Sequence, residues 1–291
     1  MPAHGADPNR PDFLRDLRLL AEGAARAGGA VARAAFGGEL SVRPKADGSE
    51  VTDADEAAQA AVIACLAAQR PADALLAEET LAGAEQARRP TPANNVISWI
   101  IDPIDGTRNY VRGVPLYAVS VAAMFGGFPR AGAIYVPDRD DMYSASEPEG
   151  ALLNGQPIPP PRPLTAAPGR PAKPLVGIPS SLHGAAYNLM QNWAPRVIVR
   201  NLGSTAMHLA MVAAGQLQAA LSADGRLWDI AAGWLLVRCA GGRTTDLAGG
   251  DVFPIELANY AGEPIPTVAG HDETLHAKLL AGAGAADSTP P

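Results

Sequence analysis

The chain has 291 residues, 47% of them hydrophobic and only 5% aromatic, and a formal net charge of −7. That length allows one large domain or two small ones, with a core built mostly of Ala, Leu, Val and Ile. The negative balance argues against an electrostatic nucleic-acid binder. Cys65 and Cys239 lie far apart and give neither a disulfide framework nor a zinc spacing, so they read as small buried apolar residues. No apolar run is long enough to span a membrane. Asp7, Asp12 and Asp16 argue against a transit peptide, which makes a cytoplasmic protein the simplest expectation.

Residues 1–11 are polar and small and are expected to be disordered. Phe13 to Phe36 predicts a helix with Phe13, Leu17, Leu20 and Ala24 on one face. Gly28-Gly29 should weaken its middle by roughly 1 kcal/mol per glycine. The stretch from Lys45 to Asp55 predicts a mobile loop at Gly48-Ser49. Thr52 then serves as N-cap, with Asp55 three residues on in capping-box fashion. A helix should follow from about Asp53 to Gln69, packing through Ala57, Ala61, Ile63 and Leu66. Leu75 to Thr80 reads as a short strand ending in Glu78 and Glu79. The polar residues Leu81 to Asn95 predict a surface loop.

The most informative stretch runs from Trp99 to Tyr110. Val96 to Ile101, broken only by Ser98, predicts a buried strand. Pro103 has no N–H for a ladder bond and should end that strand, and Asp105-Gly106 should turn the chain. Asp102 and Asp105 then sit together at a strand mouth. Backbone N–H groups at Gly106, Thr107 and Asn109 could hold an anion just beyond them. Acids beside an anion cradle call for a cation between them, and hard oxygen ligands with room for a phosphate suit Mg²⁺. Asp-Pro or Asp-Gly alone would be an ordinary turn dipeptide.

Short strands follow at Tyr117 to Phe125, Ala131 to Val136 and Asp141 to Ala145, with an Asn154-Gly155 hairpin turn. They predict an antiparallel sheet flanked by the two N-terminal helices. Gln156 to Pro174 is dense in proline and reads as an extended surface connection. Beyond it strands and helices alternate, which predicts a mixed sheet covered by helices. The strands are Leu175 to Ile178, Val197 to Val199, Gln218 to Ser222, Arg243 to Leu247 and Thr267 to Ala269. The helices are Ala185 to Trp193, Ser204 to Ala214, Asp229 to Ala240 and Asp272 to Leu280. Asp229 on its own reads as a helix N-cap, with Trp228 in the core. Gly203-Ser204-Thr205-Ala206 opens a helix whose first N–H groups should be free. The five histidines show no metal spacing. His208 reads as a helix-face residue and the others as surface.

Asp102-Pro-Ile-Asp-Gly-Thr107, with the Trp99 lead-in and Asn109-Tyr110, resembles the first signature of the inositol monophosphatase family. Trp228-Asp-Ile-Ala-Ala-Gly233, closed by Gly241-Gly242, resembles its second, and Glu78-Glu79 stands where the family has a Glu-Glu pair. The resemblance covers nearly all of Phe13 to Leu280. It implies an α+β fold, a layered αβαβα sandwich of the inositol monophosphatase/fructose-bisphosphatase type. The expected divisions are 1–11, a metal-bearing lobe at 12–160, a connection at 161–174, a second lobe at 175–280, and a tail at 281–291.

The resemblance further implies a Mg²⁺-dependent, lithium-sensitive phosphomonoesterase using two to three ions, often as a homodimer. Glu78, Asp102 and the Ile104 carbonyl would bind one ion, and Asp102, Asp105 and Asp229 a second. A third would bind weakly at Glu78. Asp55 and Thr107 would orient the attacking water, with Glu78 counted among the catalytic groups. Gly106 and Thr107 would hold the phosphate, with Lys45 near it. Gly203, Ser204 and Thr205 would lie beside the alcohol.

Inositol-specific members carry a glutamate where this chain has Ser222, with Asp224 nearby, so inositol is in doubt as substrate. Histidinol phosphate is the first candidate, because its ammonium could pair with Asp224, and a 3′(2′),5′-bisphosphate nucleotide is another. The expected partner is a small phosphorylated alcohol, with neither nucleic acid nor membrane. A non-catalytic regulatory or binding protein on the same fold is the alternative of a different class. The complete acid set favours an enzyme.

Overall fold

In a computed structural model of the chain, the described residues are 10–45, 48–79, 91–161 and 172–281. The expectations for both termini, for most of the 81–95 loop and for the middle of the proline-rich connection lie outside them.

Helix α1 (Pro11–Ala35) has the expected amphipathic stripe, with Leu14, Leu17, Leu20, Ala21 and Ala24 buried. Gly28 and Gly29 are not merely weak points in it. A Cβ on Gly28 would lie 2.6 Å from Val62 Cγ2 and 3.2 Å from the Ala58 carbonyl, and Gly29 is packed against the Tyr135 ring. The two glycines let α1 approach α2 (Asp53–Gln69) and the sheet beneath it closely. We therefore expect Gly28→Ala to lower stability, because overpacking costs about 1–3 kcal/mol against about 1 kcal/mol gained in helix propensity. A thermal melt showing an unchanged or raised melting temperature would contradict the close packing.

Between these helices the structure has a two-stranded hairpin, β1 (Val42–Pro44) and β2 (Glu50–Thr52), where the sequence suggested only a loop. The Asp47-Gly48 dipeptide between two extended runs was the available signal. Thr52 caps α2 as expected, in a reciprocal capping box with Asp55. The packing face of α2 differs from the expected one. Ala54, Asp55, Ala58, Gln59, Val62, Ile63 and Leu66 are buried, whereas Ala57 is exposed.

A seven-stranded sheet follows. It contains β3 (Ala74–Ala77), β4 (Ser98–Asp105), β5 (Ala118–Phe125), β6 (Phe128–Val136), β7 (Asp141–Ser146), β8 (Gly150–Leu153) and β9 (Gln156–Pro157), in that spatial order. β3 runs parallel to β4, and every other pairing is antiparallel. Asn154 and Gly155 both take positive φ, 52° and 74°, as a tight hairpin of this type requires. Pro103 does not end its strand. Asp102 pairs with Ser120 and Asp105 with Ala118, so three steps on β4 face two on β5. The resulting bulge absorbs a residue that cannot donate to the ladder.

The second sheet has strand order β11-β10-β12-β14-β13 and is mixed, as expected. Its strands are β10 (Leu175–Gly177), β11 (Ile198–Arg200), β12 (Ala219–Ser222), β13 (Arg243–Asp246) and β14 (Thr267–Gly270). Its helices are α4 (Gly184–Trp193), α5 (Thr205–Ala213), α6 (Leu227–Cys239) and α7 (Glu273–Ala281).

Alternation along the strands sorts the core into layers. Trp99, Ile101, Val121 and Tyr135 face α1 and α2, while Ile100, Ala122, Ile134 and Tyr143 face α5 and α6. The opposite side of α5 and α6 meets Ala220 and Ala269 of the second sheet, whose far face packs on α4 and α7. The layers therefore run helix, sheet, helix, sheet, helix. α6 lies between the sheets and is buried almost throughout, which explains why its sequence lacks a polar face. Among the described residues no helix is long and apolar enough to cross a membrane.

His271 and His276, expected at the surface, are buried, and His276 Nε2 lies 3.0 Å from Thr245 Oγ1. The two cysteines are free and half-buried.

Candidate metal centre

Two segments bring three acids together. The β4 bulge supplies Asp102 and Asp105, and the first turn of α6 supplies Asp229. Ligand-capable oxygens of all three lie within 4.8 Å of one another. The register explains the convergence. Ser120, opposite Asp102 on β5, donates its hydroxyl to the Trp228 carbonyl at 3.0 Å, which fastens the start of α6 beside the bulge. Asp229 is not the N-cap of α6 but its third residue, and it accepts from the Arg226 N–H at 2.6 Å.

Asp102 is 1% exposed. Its Oδ1 accepts from the Ile104 N–H at 3.0 Å, and its buried Oδ2 has no hydrogen-bond partner. Asp105 is held by α5, accepting from Ser204 Oγ at 2.6 Å and from the Ala206 N–H at 2.5 Å. Burial drives all three carboxyls up. Asp102 rises well above its usual range, with Glu78 the next cause. Asp105 reaches about 8, pushed further by Asp229 and opposed by its Ser204 and Ala206 bonds. Asp229 reaches about 6. A buried carboxylate oxygen without a donor, inside a mutually repelling acid cluster, is costly unless a proton or a cation neutralises it.

Glu78 stands at the end of β3, close enough to raise all three aspartates. Here it is bound to Lys45, whose Nζ lies 2.6 Å from both Glu78 Oε1 and Glu79 Oε1. Burial alone would depress the Lys45 ammonium, but Glu78 and Glu79 more than reverse this and raise it. Gln59 on α2 fixes the bend between the glutamates by accepting from the Glu79 N–H and donating to the Glu79 carbonyl. Glu79 itself rises to about 7, through burial first and Glu78 second.

The Thr107 hydroxyl lies 3.3 Å from Asp55 Oδ1 and 3.0 Å from the Ile104 carbonyl, so its one proton can serve either. Asp55 is fully buried, its Oδ2 fixed by the Thr52 N–H at 2.8 Å and hydroxyl at 2.5 Å, and burial raises its pKa to about 6. Gly106 takes φ 103° under the Leu116 carbonyl, which a Cβ would meet at 2.9 Å. It opens the five-residue helix α3 (Thr107–Val111). The Gly106 and Thr107 N–H groups have no acceptor among the described residues, but the Asn109 N–H is spent on the Gly106 carbonyl.

A cavity of about 250 Å³ opens beside these groups, lined by Gly106, Thr107, Gly203, Ser204, Thr205 and Ser222 among others. The turn before α5 is less free than its sequence suggested. Ser204 gives its proton to Asp105 and accepts from the Met207 N–H, so the hydroxyl serves the acid cluster. The Ser222 hydroxyl accepts from the Gly225 N–H at 3.1 Å. Two residues support the wall in roles the sequence did not suggest. Asn109 donates its carboxamide to the Leu116 and Leu202 carbonyls, at 2.7 Å each. Buried His208 accepts from the Leu202 N–H at 3.0 Å, and burial lowers its pKa to about 4. Neither role has a sequence signal, because the partners are backbone groups, which every residue type carries.

The chain is an alternately layered α+β sandwich whose acid cluster, between its sheets, could hold a cation. The chain belongs to the inositol monophosphatase family, whose profile it matches over residues 14–285. It is 34% identical to the inositol-1-monophosphatase of Mesorhizobium japonicum, over 80% of this chain and 86% of that protein. It is 33% identical to the Nus factor SuhB of Escherichia coli K12, over 74% of this chain and 78% of that protein. The extragenic suppressor protein suhB of Bartonella henselae superposes with a TM-score of 0.76 at 26% identity, covering 93% of this chain and 98% of that one.

Proposed function

We propose that the chain is a Mg²⁺-dependent hydrolase of a small phosphomonoester. The observation that carries this is the convergence of Asp102, Asp105 and Asp229 around a buried Asp102 oxygen that has no partner. The donors are hard oxygens, which fit Mg²⁺. Glu78, Asp102 and the Ile104 carbonyl would hold one ion, Asp102, Asp105 and Asp229 a second, and Glu78 a weaker third. Mg²⁺ bound there supplies an acidified water and charge neutralisation for phosphoryl displacement.

The chain's own groups do the rest. Thr107 donates its proton to Asp55, which leaves its oxygen lone pairs to accept from the attacking water. The raised pKa of Asp55, about 6, suits it to proton transfer near neutrality. The Gly106 and Thr107 N–H groups hold phosphate oxygens. Lys45 balances charge at Glu78 and Glu79, and Gly203, Thr205 and Ser222 border the alcohol. Ser204 acts by holding Asp105.

The test is phosphate release from inositol monophosphate, histidinol phosphate, fructose 1,6-bisphosphate and 3′-phosphoadenosine 5′-phosphate, with Mg²⁺ and with a chelator. Turnover of at least one ester, abolished by chelation, is expected. No release from any of them would favour a binding role, to which the relative named a Nus factor points. The assembly is proposed to be a homodimer, which light scattering reads directly.

A further inference from the structure

The charges around the cavity, resting on the hydrolase reading above, identify the part of the substrate that does not react. Asp224 was the reason to expect a cationic alcohol, and its carboxylate has neighbours within the protein. Ser181 Oγ donates to it at 2.8 Å and His183 Nε2 lies 3.3 Å away. Glu50, on the opposite rim, is paired with Arg112 at 3.0 Å. Arg112 also donates to the Arg108 carbonyl. Asp105 and Asp229 belong to the metal centre. His208 is buried and held neutral by that burial. Arg108 lines the same cavity from α3, one residue after Thr107, and is exposed. Among the described residues its guanidinium has no carboxylate partner. Once the acid cluster is neutralised, Arg108 is the cation that stands on the cavity wall without a carboxylate partner among the described residues, and it sits one residue from Thr107 at the reacting end, whereas the Asp224 carboxylate lies with Ser181 and His183.

We propose that Arg108 is a specificity residue that selects phosphomonoesters whose alcohol carries a second anionic group, phosphate or carboxylate. A guanidinium matches either group with two parallel N–H donors. An ammonium-bearing alcohol such as histidinol would meet a like charge there instead.

The experiment compares matched substrates in wild type, Arg108→Gln and Arg108→Lys at one saturating Mg²⁺ concentration. One pair is fructose 1,6-bisphosphate against fructose 1-phosphate, and the other is 3-phosphoglycerate against glycerol 3-phosphate. The quantity read is the ratio of kcat/KM within each pair. Any common factor from the substitution cancels, as does the preference of Mg²⁺ itself for anions. Arg108→Gln should lower the ratio about tenfold in at least one pair, mostly through KM, and Arg108→Lys should restore part of it. The pair that responds tells phosphate from carboxylate. Raising ionic strength should lower the wild-type ratio and leave that of Arg108→Gln flat. If wild type hydrolyses the neutral esters and neither ratio moves with Arg108, this inference fails and the hydrolase reading stands. If wild type hydrolyses none of the four but releases phosphate from inositol monophosphate or histidinol phosphate, this inference alone fails; if it hydrolyses no ester of either panel, the hydrolase reading itself falls.

Discussion

Asp102→Asn should lower phosphomonoesterase activity by about three orders of magnitude or more while the protein stays folded. Asp102 is the one side chain assigned to both principal ions, so the substitution removes a charge from each. A bound metal stabilises a phosphoryl transition state by several kcal/mol, and each 1.4 kcal/mol is a factor of about ten in rate. Without metal the effect on stability should run the other way. Asn keeps the oxygen that accepts from the Ile104 N–H. It also replaces the unpartnered Oδ2 with an N–H₂ beside Asp105 and Asp229. The metal-free variant should therefore melt no lower than metal-free wild type. The assignment is wrong if the variant keeps near-normal turnover at saturating Mg²⁺.

Mg²⁺ should raise the melting temperature of wild type, and by more at about pH 8.5 than at about pH 6.5. The sign follows from the raised carboxyls. Asp105 at about 8, Glu79 at about 7 and Asp102 well above its usual value bind more protons folded than unfolded across this window. Metal-free stability must then fall as pH rises through it. Buried His208, lowered to about 4, acts in the opposite sense, but its contribution is lost only as pH falls below about 6.5. The upper window therefore isolates the acids. An ion that binds only the folded, deprotonated cluster offsets the loss. Asp105→Asn or Asp229→Asn should shrink the Mg²⁺ shift. Melting curves in chelator and in excess Mg²⁺ at both pH values decide it. A shift that is absent, or equal at the two values, counts against a cation at this cluster.

The sequence disclosed most where the physics is local. Helices α1 and α2, the Thr52 cap and the Asn154-Gly155 turn depend on neighbouring residues, and each appears where its pattern placed it. It disclosed least where the partner is remote. Nothing around Pro103 says that β5 will accept a bulge, because that depends on Ser120 and Ala118. Nothing around Gly28 announces Val62. The acids were readable as chemistry through two motifs, yet the elements that aim them were not. Ser204, Ser120 and Gln59 act through hydrogen bonds to acids or backbone positions 20 to 108 residues away in sequence. The surroundings of Asp224 were unreadable for a related reason, since the Ser181 hydroxyl that reaches it lies 43 residues away in sequence.

The Asn109 carboxamide ties the loop that follows the β4 bulge to the turn before α5. A Cβ on Gly203 would lie 2.6 Å from Asn109 Nδ2. The two halves of the pocket are thus cut to fit each other, although 94 positions separate Asn109 from Gly203. Grafting a specificity turn from a relative would therefore transplant only half of a joint. Chimeras that exchange both segments together should retain a formed pocket, whereas single-segment exchanges should lose it. Inheritance should show the same linkage, with substitutions at these two positions arising as pairs.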